Sequence, residues 1–127
     1  MNSFFAMMSR MKYIDRWALM RNSRQENLSE HSLEVSMIAH ALAVIGNTCL
    51  GKELDAQKAA VFGMYHDATE IITGDMPTPV KYYNSRIKDS YKDIEHQASR
   101  TLLSMLPERM QDAYLEIFEK KEEDAYL

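Results

Sequence analysis

The sequence predicts an all-α protein, and three observations of composition and pattern support that class. The 127 residues include only 4 glycines and 3 prolines, too few for the many tight turns of a β-rich domain. Residues that favour helices, such as Ala, Leu, Met, Glu, Lys and Arg, are abundant. Apolar side chains recur at helical spacing in several segments. A chain of this length is expected to form one domain with a single core, spanning residues 1–127.

The first two helices are predicted from an apolar stripe and a capping pattern. The first runs from Ser3, as its N-cap, to about Ile14, and a polar connection follows. The second begins at Asn27, whose spacing to Glu30 is that of a capping box. It is expected to end near Gly46, because glycine commonly terminates helices.

The remaining segments are predicted in the same way. A third helix runs from about Asp55 to Asp67. The stretch Thr73–Pro79 must be a loop, because two prolines and a glycine are incompatible with a helix. A long polar helix covers Ser85–Leu106, and Pro107 occupies the first position of a last segment that runs from Glu108 to Lys121. The charged residues at the end of the chain resemble the beginning of a further helix.

Charge and cysteine content narrow the expected partners and location. The net charge is −4 and no dense Lys/Arg patch is present, so we expect no nucleic-acid polymer as a partner. A single cysteine, Cys49, fits a reducing, cytoplasmic compartment. The apolar run Val35–Ile45 is too short to span a bilayer, and the N-terminal segment lacks the features of a signal peptide. We therefore expect no membrane association.

Two histidines and one aspartate are the strongest candidates for chemistry. His66 and Asp67 are neighbours that project about 100° apart on a helix, so they share a target that lies between them. His31 lies in the first turn of the second helix. Two imidazoles and a carboxylate suit Fe, Mn, Co, Ni or Zn and leave positions for water and substrate. The alternative is structural: histidines satisfied by the backbone beside a solvated carboxylate.

Four further residues are candidates for contacts with a substrate. Glu70 follows Asp67 on the same helix face one turn on, where a carboxylate could take a proton from an attacking water. Arg16 and Trp17 pair a guanidinium with an indole, which suits a phosphate and a stacked sugar or base. Their alternative is packing at the edge of the core with an exposed arginine. Asp75 lies in the proline-stiffened loop, where its alternative role is to form the turn.

Several stretches resemble the bacterial YfbR-like 5′-deoxynucleotidases, which are HD-domain metal-dependent phosphohydrolases. In order along the chain these are Arg16–Trp17, Leu19–Asn22, Glu26–Asn27, Ser29–Leu33, Met64–Ala68 and Gly74–Tyr82. The resemblance covers nearly the whole chain. It implies an all-α HD-domain helical bundle, here lacking the C-terminal helices of the family.

The resemblance also implies a function and a set of site residues. The expected reaction converts deoxyribonucleoside 5′-monophosphates to deoxynucleosides and phosphate, in a cytoplasmic homodimer that uses a divalent metal. Cobalt is the expected metal, with manganese or copper as alternatives. The implied metal ligands are His31, His66 and Asp67, the implied catalytic residues Glu70 and Arg16, and the implied substrate contacts Arg16, Trp17, His31, Asp67, Asp75, Met76, Pro77 and Thr78. An aspartate or proline at the sugar would exclude a ribose 2′-hydroxyl.

The sequence departs from the family at its C-terminal end. The family has a further aspartate ligand that would lie beyond Leu127, and the setting of Asp124 does not match it. We expect uncovered apolar helix faces and therefore self-association. Two alternatives remain open: an HD phosphohydrolase that acts on another phosphorylated substrate, and a catalytically inactive helical module that binds metal or nucleotide.

Overall fold

The computed structural model describes residues 3–16, 25–74 and 83–119. Its α-helices are α1 (Phe4–Met8), α2 (Leu28–Cys49), α3 (Ala56–Tyr65), α4 (Glu70–Thr73), α5 (Ser85–Ser104) and α6 (Glu108–Phe118), with a 3-10 helix at Ser9–Tyr13. Within these ranges the only extended pairing is an isolated antiparallel bridge between Asp15 and Asn27. The predicted all-α class is therefore confirmed.

The first predicted helix is shorter and less regular than expected. α1 ends at Met8, and the segment Ser9–Tyr13 continues as 3-10 turns. Ser3 is the N-cap residue of α1, as predicted, but its hydroxyl makes no capping hydrogen bond. Beyond the 3-10 turns, the Ile14 carbonyl accepts a hydrogen bond of 2.7 Å from the Leu28 N–H. This bond joins the N-terminal segment to the beginning of α2.

The predicted caps of α2 and α3 are both present. The Asn27 side chain accepts a hydrogen bond of 2.9 Å from the Glu30 N–H, and the Glu30 side chain accepts one of 3.3 Å from the Asn27 N–H. These reciprocal bonds complete the capping box. At α3, the Asp55 carboxylate accepts a bond of 3.0 Å from the Lys58 N–H. The caps fix where each helix begins.

α2 continues past the predicted stop to Cys49. Gly46 is buried inside the helix, and a Cβ atom there would lie 2.9 Å from Cδ1 of Leu54. This glycine therefore makes room for the chain that returns toward α3 rather than ending α2. Gly51, with a φ of +66°, adopts the left-handed conformation where the chain turns.

α2 and α3 form a tightly packed hairpin. The Ser36 hydroxyl donates a hydrogen bond of 2.8 Å to the Ala60 carbonyl. A Cβ atom on Gly63 would lie only 2.7 Å from Cα of Ser36, so the two backbones approach closely at this point. Small buried residues on both helices permit this approach: Ser32, Ser36, Ala59 and Gly63. The hairpin is the frame on which the candidate site lies.

The second half of the chain packs against α1. Phe4, Leu102, Leu103 and Leu106 form the buried cluster, and Phe4 meets the ring of Tyr114 edge-on at 4.9 Å. Around them pack the partly buried side chains of Met7, Met8, Tyr65, Met105, Met110, Tyr114 and Phe118. This aromatic and methionine-rich cluster joins α1, α5 and α6 to the end of α3.

The last two predicted helices are confirmed with different ends. The side chain of Asn84 caps α5, which ends at Ser104, two residues before the predicted end. Pro107 occupies the N-cap of α6 rather than its first helical position. α6 ends at Phe118, and the residues from 120 onward, including the predicted further helix, lie outside the described residues.

Among the described residues, α2 is long and apolar enough by length and composition to cross a membrane. Its 22 residues extend beyond the apolar run Val35–Ile45 on both sides. Core helices of water-soluble proteins also meet this criterion. Only 22% of the apolar stretch is buried. Its exposed side chains include Leu33, Met37, Ile38, Leu42 and Ile45.

Candidate metal centre

The register of the α2–α3 hairpin brings His31 to His66. Because the helices run antiparallel and meet at Ser36 and Ala60, moving back along α2 corresponds to moving forward along α3. His31 lies about one and a half turns before Ser36, and His66 about as far beyond Ala60. Their ring centroids are 5.3 Å apart. Residues distant in sequence thus meet at the open end of the hairpin.

Asp67 lies between the two imidazoles. Its Oδ2 atom is 2.9 Å from Nε2 of His66 and 3.5 Å from Nε2 of His31. One ligand atom from each of the three residues lies within 4.8 Å of the others. Zinc and similar cations bind nitrogen and oxygen at about 2.0–2.2 Å, so a small inward movement would bring all three atoms to one cation. The donors and their spacing therefore fit a divalent metal.

The backbone orients the His66 ring. Nδ1 of His66 is 2.8 Å from the carbonyl oxygen of Gly63, to which a protonated Nδ1 donates. This bond leaves Nε2 directed toward Asp67 and available as a ligand once it carries no proton. Gly63 therefore has two roles: its lack of a side chain lets α2 approach closely, and its carbonyl orients the His66 ring.

The surroundings shift the pKa values of the two histidines in opposite directions. Burial lowers the pKa of His31, and the positive charge of Arg16 lowers it further, against the opposing effect of Asp67. Burial also acts to lower the pKa of His66, but the hydrogen bond and negative charge of Asp67 outweigh it and raise that pKa. Near neutral pH the site thus favours an uncharged His31, which is the form that binds a metal.

Glu70 lies near the cluster, but in a different element from the one predicted. We expected it on a continuous helix with Asp67, but α3 ends at Tyr65 and residues 66–69 form a turn. The Glu70 N–H donates a bond of 3.0 Å to the Asp67 carbonyl as α4 begins. Glu70 is 4% exposed, and its negative charge contributes to raising the pKa of His66. The helix prediction was wrong, but the carboxylate still acts on the cluster.

Arg16 also approaches the cluster, together with a residue that the sequence analysis assigned no role. Nη1 of Arg16 donates a hydrogen bond of 2.8 Å to Oε2 of Glu26. The same oxygen lies 3.9 Å from Nδ1 of His31. The bond from Arg16, the largest cause, lowers the pKa of Glu26 against the effect of burial. The sequence offered two signals for Glu26: its position directly before the capping box, and the stretch Glu26–Asn27 that resembles the family.

Several predicted substrate contacts lie outside the described residues. These are Trp17, Asp75, Met76, Pro77 and Thr78. The structure therefore brings together five predicted residues, His31, His66, Asp67, Glu70 and Arg16.

His66 also borders a cleft of about 430 Å³. Its lining combines aromatic and apolar residues with polar ones: Phe62, Tyr65, His66, Thr69, Lys92, Glu95, His96, Ser99, Ile117 and Phe118. His96 in this lining accepts a bond of 2.9 Å from Nε of Arg100 and lies 3.1 Å from a Glu119 oxygen. Of the three residues in the cluster, only His66 lines this cleft.

Comparison with known proteins places the chain among relatives that share a family description. Residues 3–127 match the family described as 5′-deoxynucleotidase YfbR-like. The 5′-deoxynucleotidase YfbR of Salmonella typhi is 52% identical over 98% of this chain and 64% of its own length. The protein of the same name from Escherichia coli O1:K1 is 53% identical over 92% of this chain and 59% of its own length. This chain thus spans about three fifths of the length of these curated relatives.

Solved structures share the fold. An HD-domain phosphohydrolase from Listeria innocua superposes with a TM-score of 0.82 at 22% identity, over 96% of this chain and 60% of that one. A conserved hypothetical protein from Pyrococcus furiosus superposes with a TM-score of 0.70 at 24% identity, over 96% of this chain and 69% of that one. The expected HD-domain fold is therefore confirmed. From its sequence and its fold, the chain belongs to the family of YfbR-like 5′-deoxynucleotidases.

Proposed function

We propose that this chain is a metal-dependent phosphomonoester hydrolase that acts on deoxyribonucleoside 5′-monophosphates. The observation that carries the proposal is the convergence of His31, His66 and Asp67 at the open end of the hairpin. The relatives named 5′-deoxynucleotidase support the substrate class. In this reaction the bond between phosphorus and the 5′ oxygen breaks. Water supplies the new oxygen of inorganic phosphate, and the 5′ oxygen leaves as a hydroxyl with a proton from that water.

We propose His31, His66 and Asp67 as the residues that hold the metal. When bound, a divalent cation supplies Lewis acidity, which lowers the pKa of water and offsets negative charge on the phosphoryl oxygens. Two imidazoles and one carboxylate suit cobalt, which the family resemblance favours. Manganese, copper, zinc, iron and nickel are the alternatives for the same donors.

Glu70 and Arg16 are the proposed catalytic side chains. Glu70 is buried beside the cluster, where its carboxylate can accept the proton that the attacking water loses. Arg16 presents a guanidinium close enough to His31 to lower the pKa of that histidine. Its planar fork of donors suits two phosphoryl oxygens. One group thus handles the proton and the other offsets the charge that develops in the transition state.

The nucleoside is proposed to contact residues outside the described ranges. Trp17 is the proposed platform for the base or sugar, and Asp75, Met76, Pro77 and Thr78 the proposed contacts of the deoxyribose. A polar or rigid wall there would reject a 2′-hydroxyl, because that hydroxyl would be crowded and unpaired. His31 and Asp67 would face the phosphate end of the same substrate.

A phosphate-release assay tests the substrate class. With cobalt added, we expect this chain to release inorganic phosphate from dAMP and much less from AMP. Release only from other phosphate esters would favour the alternative that the chain is an HD phosphohydrolase with a different substrate. No release from any ester, with metal bound, would favour an inactive metal-binding or nucleotide-binding module.

A pair of histidine variants tests the metal site. His66→Ala should abolish cobalt binding and any phosphate release, because it removes one of three ligands. His40→Ala is the matched control, since His40 is exposed on α2 outside the cluster. Elemental analysis before and after treatment with a chelator measures the metal directly. Full activity in His66→Ala would overturn the assignment of the ligands.

We also propose a cytoplasmic homodimer. Exposed apolar side chains along α2, among them Met37 and Leu42, favour self-association, because burying them removes apolar surface from water. Met37→Glu combined with Leu42→Glu should reduce the mass measured by light scattering to that of a monomer. Ile94→Glu, at an exposed apolar residue of α5, is the control and should leave the mass unchanged. A native chain that is already monomeric would refute the proposal.

A further inference from the structure

The structure places Glu26 between two functional groups of the candidate centre. An antiparallel bridge joins Asp15 to Asn27, and the Arg16 N–H donates a bond of 2.9 Å to the Glu26 carbonyl. The backbones on either side of the connection are thus held next to each other. The capping box immediately after Glu26 fixes the beginning of α2, and therefore the position of His31.

The Glu26 carboxylate faces both neighbours through one oxygen. Oε2 accepts a hydrogen bond of 2.8 Å from Nη1 of Arg16 and lies 3.9 Å from Nδ1 of His31. The opposite ring nitrogen of His31, Nε2, points toward Asp67 at 3.5 Å. The His31 ring therefore presents one nitrogen to the metal cluster and the other to Glu26.

We propose that Glu26 is a positioning residue that couples the phosphate-binding arginine to a metal-binding histidine. This inference rests on the metal site and the role of Arg16 proposed above. A carboxylate beside Nδ1 favours the tautomer with the proton on that atom, which leaves the lone pair of Nε2 for a cation. The same carboxylate holds the guanidinium in one orientation, so that it meets a phosphate without first being ordered.

A substitution of Glu26 can remove its charge while leaving its hydrogen bond with Arg16 in place. Arg16 and Glu26 are 18% and 23% exposed at the side chain, so their bond is partly shielded from water. Glu26→Gln preserves the size of the side chain and an oxygen that can accept from Arg16, but removes the negative charge. Glu53→Gln, in the exposed connection between α2 and α3, removes the same charge elsewhere and serves as the control.

Calorimetric titration with cobalt tests the action on His31. Groups that support a metal ligand typically change affinity by about 10–100-fold, so Glu26→Gln should raise the cobalt dissociation constant by about that factor. The visible absorption spectrum of the bound cobalt should change as well, because the orientation of one ligand is altered. A residue that only stabilised the fold would lower the melting temperature of the metal-free protein without changing that spectrum.

Titration of the cobalt-loaded chain with inorganic phosphate tests the action on Arg16. Arg16→Ala should weaken phosphate binding strongly in the native background and by a clearly smaller factor in the Glu26→Gln background, because coupled residues are not additive. Equal factors in the two backgrounds would overturn the coupling. Cobalt binding by Glu26→Gln that matches Glu53→Gln would overturn the role toward His31. If the native chain binds no cobalt, the proposed metal site itself fails and this inference fails with it.

Discussion

Gly63→Ala tests whether the close approach of α2 and α3 brings the candidate metal ligands together. The added Cβ would lie 2.7 Å from Cα and 2.9 Å from N of Ser36, whereas ordinary contacts begin at about 3.4 Å. The obstacle is backbone, so the helices must separate by about 0.7 Å, the difference between 3.4 and 2.7 Å. Overpacking of this kind costs about 1–3 kcal/mol, and the better helix propensity of alanine returns about 0.5–1 kcal/mol. We expect a net loss of about 1–2 kcal/mol.

Thermal unfolding and cobalt titration measure the two consequences. A loss of this size should lower the melting temperature by about 4–8 °C in a domain of this length. Functional groups need to be held within about 0.5 Å, so cobalt affinity should fall by about tenfold or more. Gly46→Ala is the matched control, because its added Cβ meets side-chain atoms rather than backbone: Cδ1 of Leu54 at 2.9 Å and Cδ of Lys52 at 3.6 Å. If Gly63→Ala unfolds at the same temperature as Gly46→Ala and binds cobalt as tightly as the native chain, the reasoning is refuted.

Two further predictions concern the local supports of the site. Asn27→Ala should lower the free energy of unfolding by about 1 kcal/mol, because it removes the cap of α2, and urea unfolding should show it; an unchanged midpoint would contradict this. In the metal-free protein, NMR titration should give a midpoint above pH 6.5 for His66 and below it for His31. Folding raises the pKa of His66, so protonated His66 contributes to the stability of the folded protein. This contribution is complete below pH 6.5 and is lost as the pH rises through the raised pKa. Asp67→Asn should abolish this pH-dependent loss of stability. NMR midpoints of His31 and His66 on the same side of pH 6.5 would contradict the prediction.

The caps of α2 and α3 and the proximity of His66 to Asp67 could be predicted because their signals are local. Asn27 and Glu30 are close in sequence and need no partner from elsewhere, and Asp55 likewise precedes a helix whose first N–H groups need acceptors. His66 and Asp67 are neighbours, so their proximity follows from the chain itself. The meeting of His31 with them followed from the resemblance and from the residue types, and the hairpin register supplies the physical reason.

What could not be predicted depends on tertiary contacts. Gly46 reads as a helix stop, but the return of the chain at Leu54 makes it a packing position inside α2. α3 ends at Tyr65, two residues before the predicted end at Asp67, and no proline or glycine indicates that end, so Glu70 was expected on the same helix face as Asp67. Glu26 is one acidic residue among 19, and its hydrogen bond with Arg16 depends on the backbone bridge that brings the two segments together. Each of these features depends on a distant segment that local patterns do not contain.

The compact α2–α3 hairpin also has a consequence for the order in which the protein folds and binds a cation. Both imidazoles and the carboxylate come from one supersecondary unit that closes a short connection, and such local structures form early because little chain entropy is lost in closing them. A cation captured by this unit would stabilise it through mass action before the outer helices have docked. None of the three candidate ligands comes from α5 or α6, so their convergence depends on the hairpin and the turn that follows it.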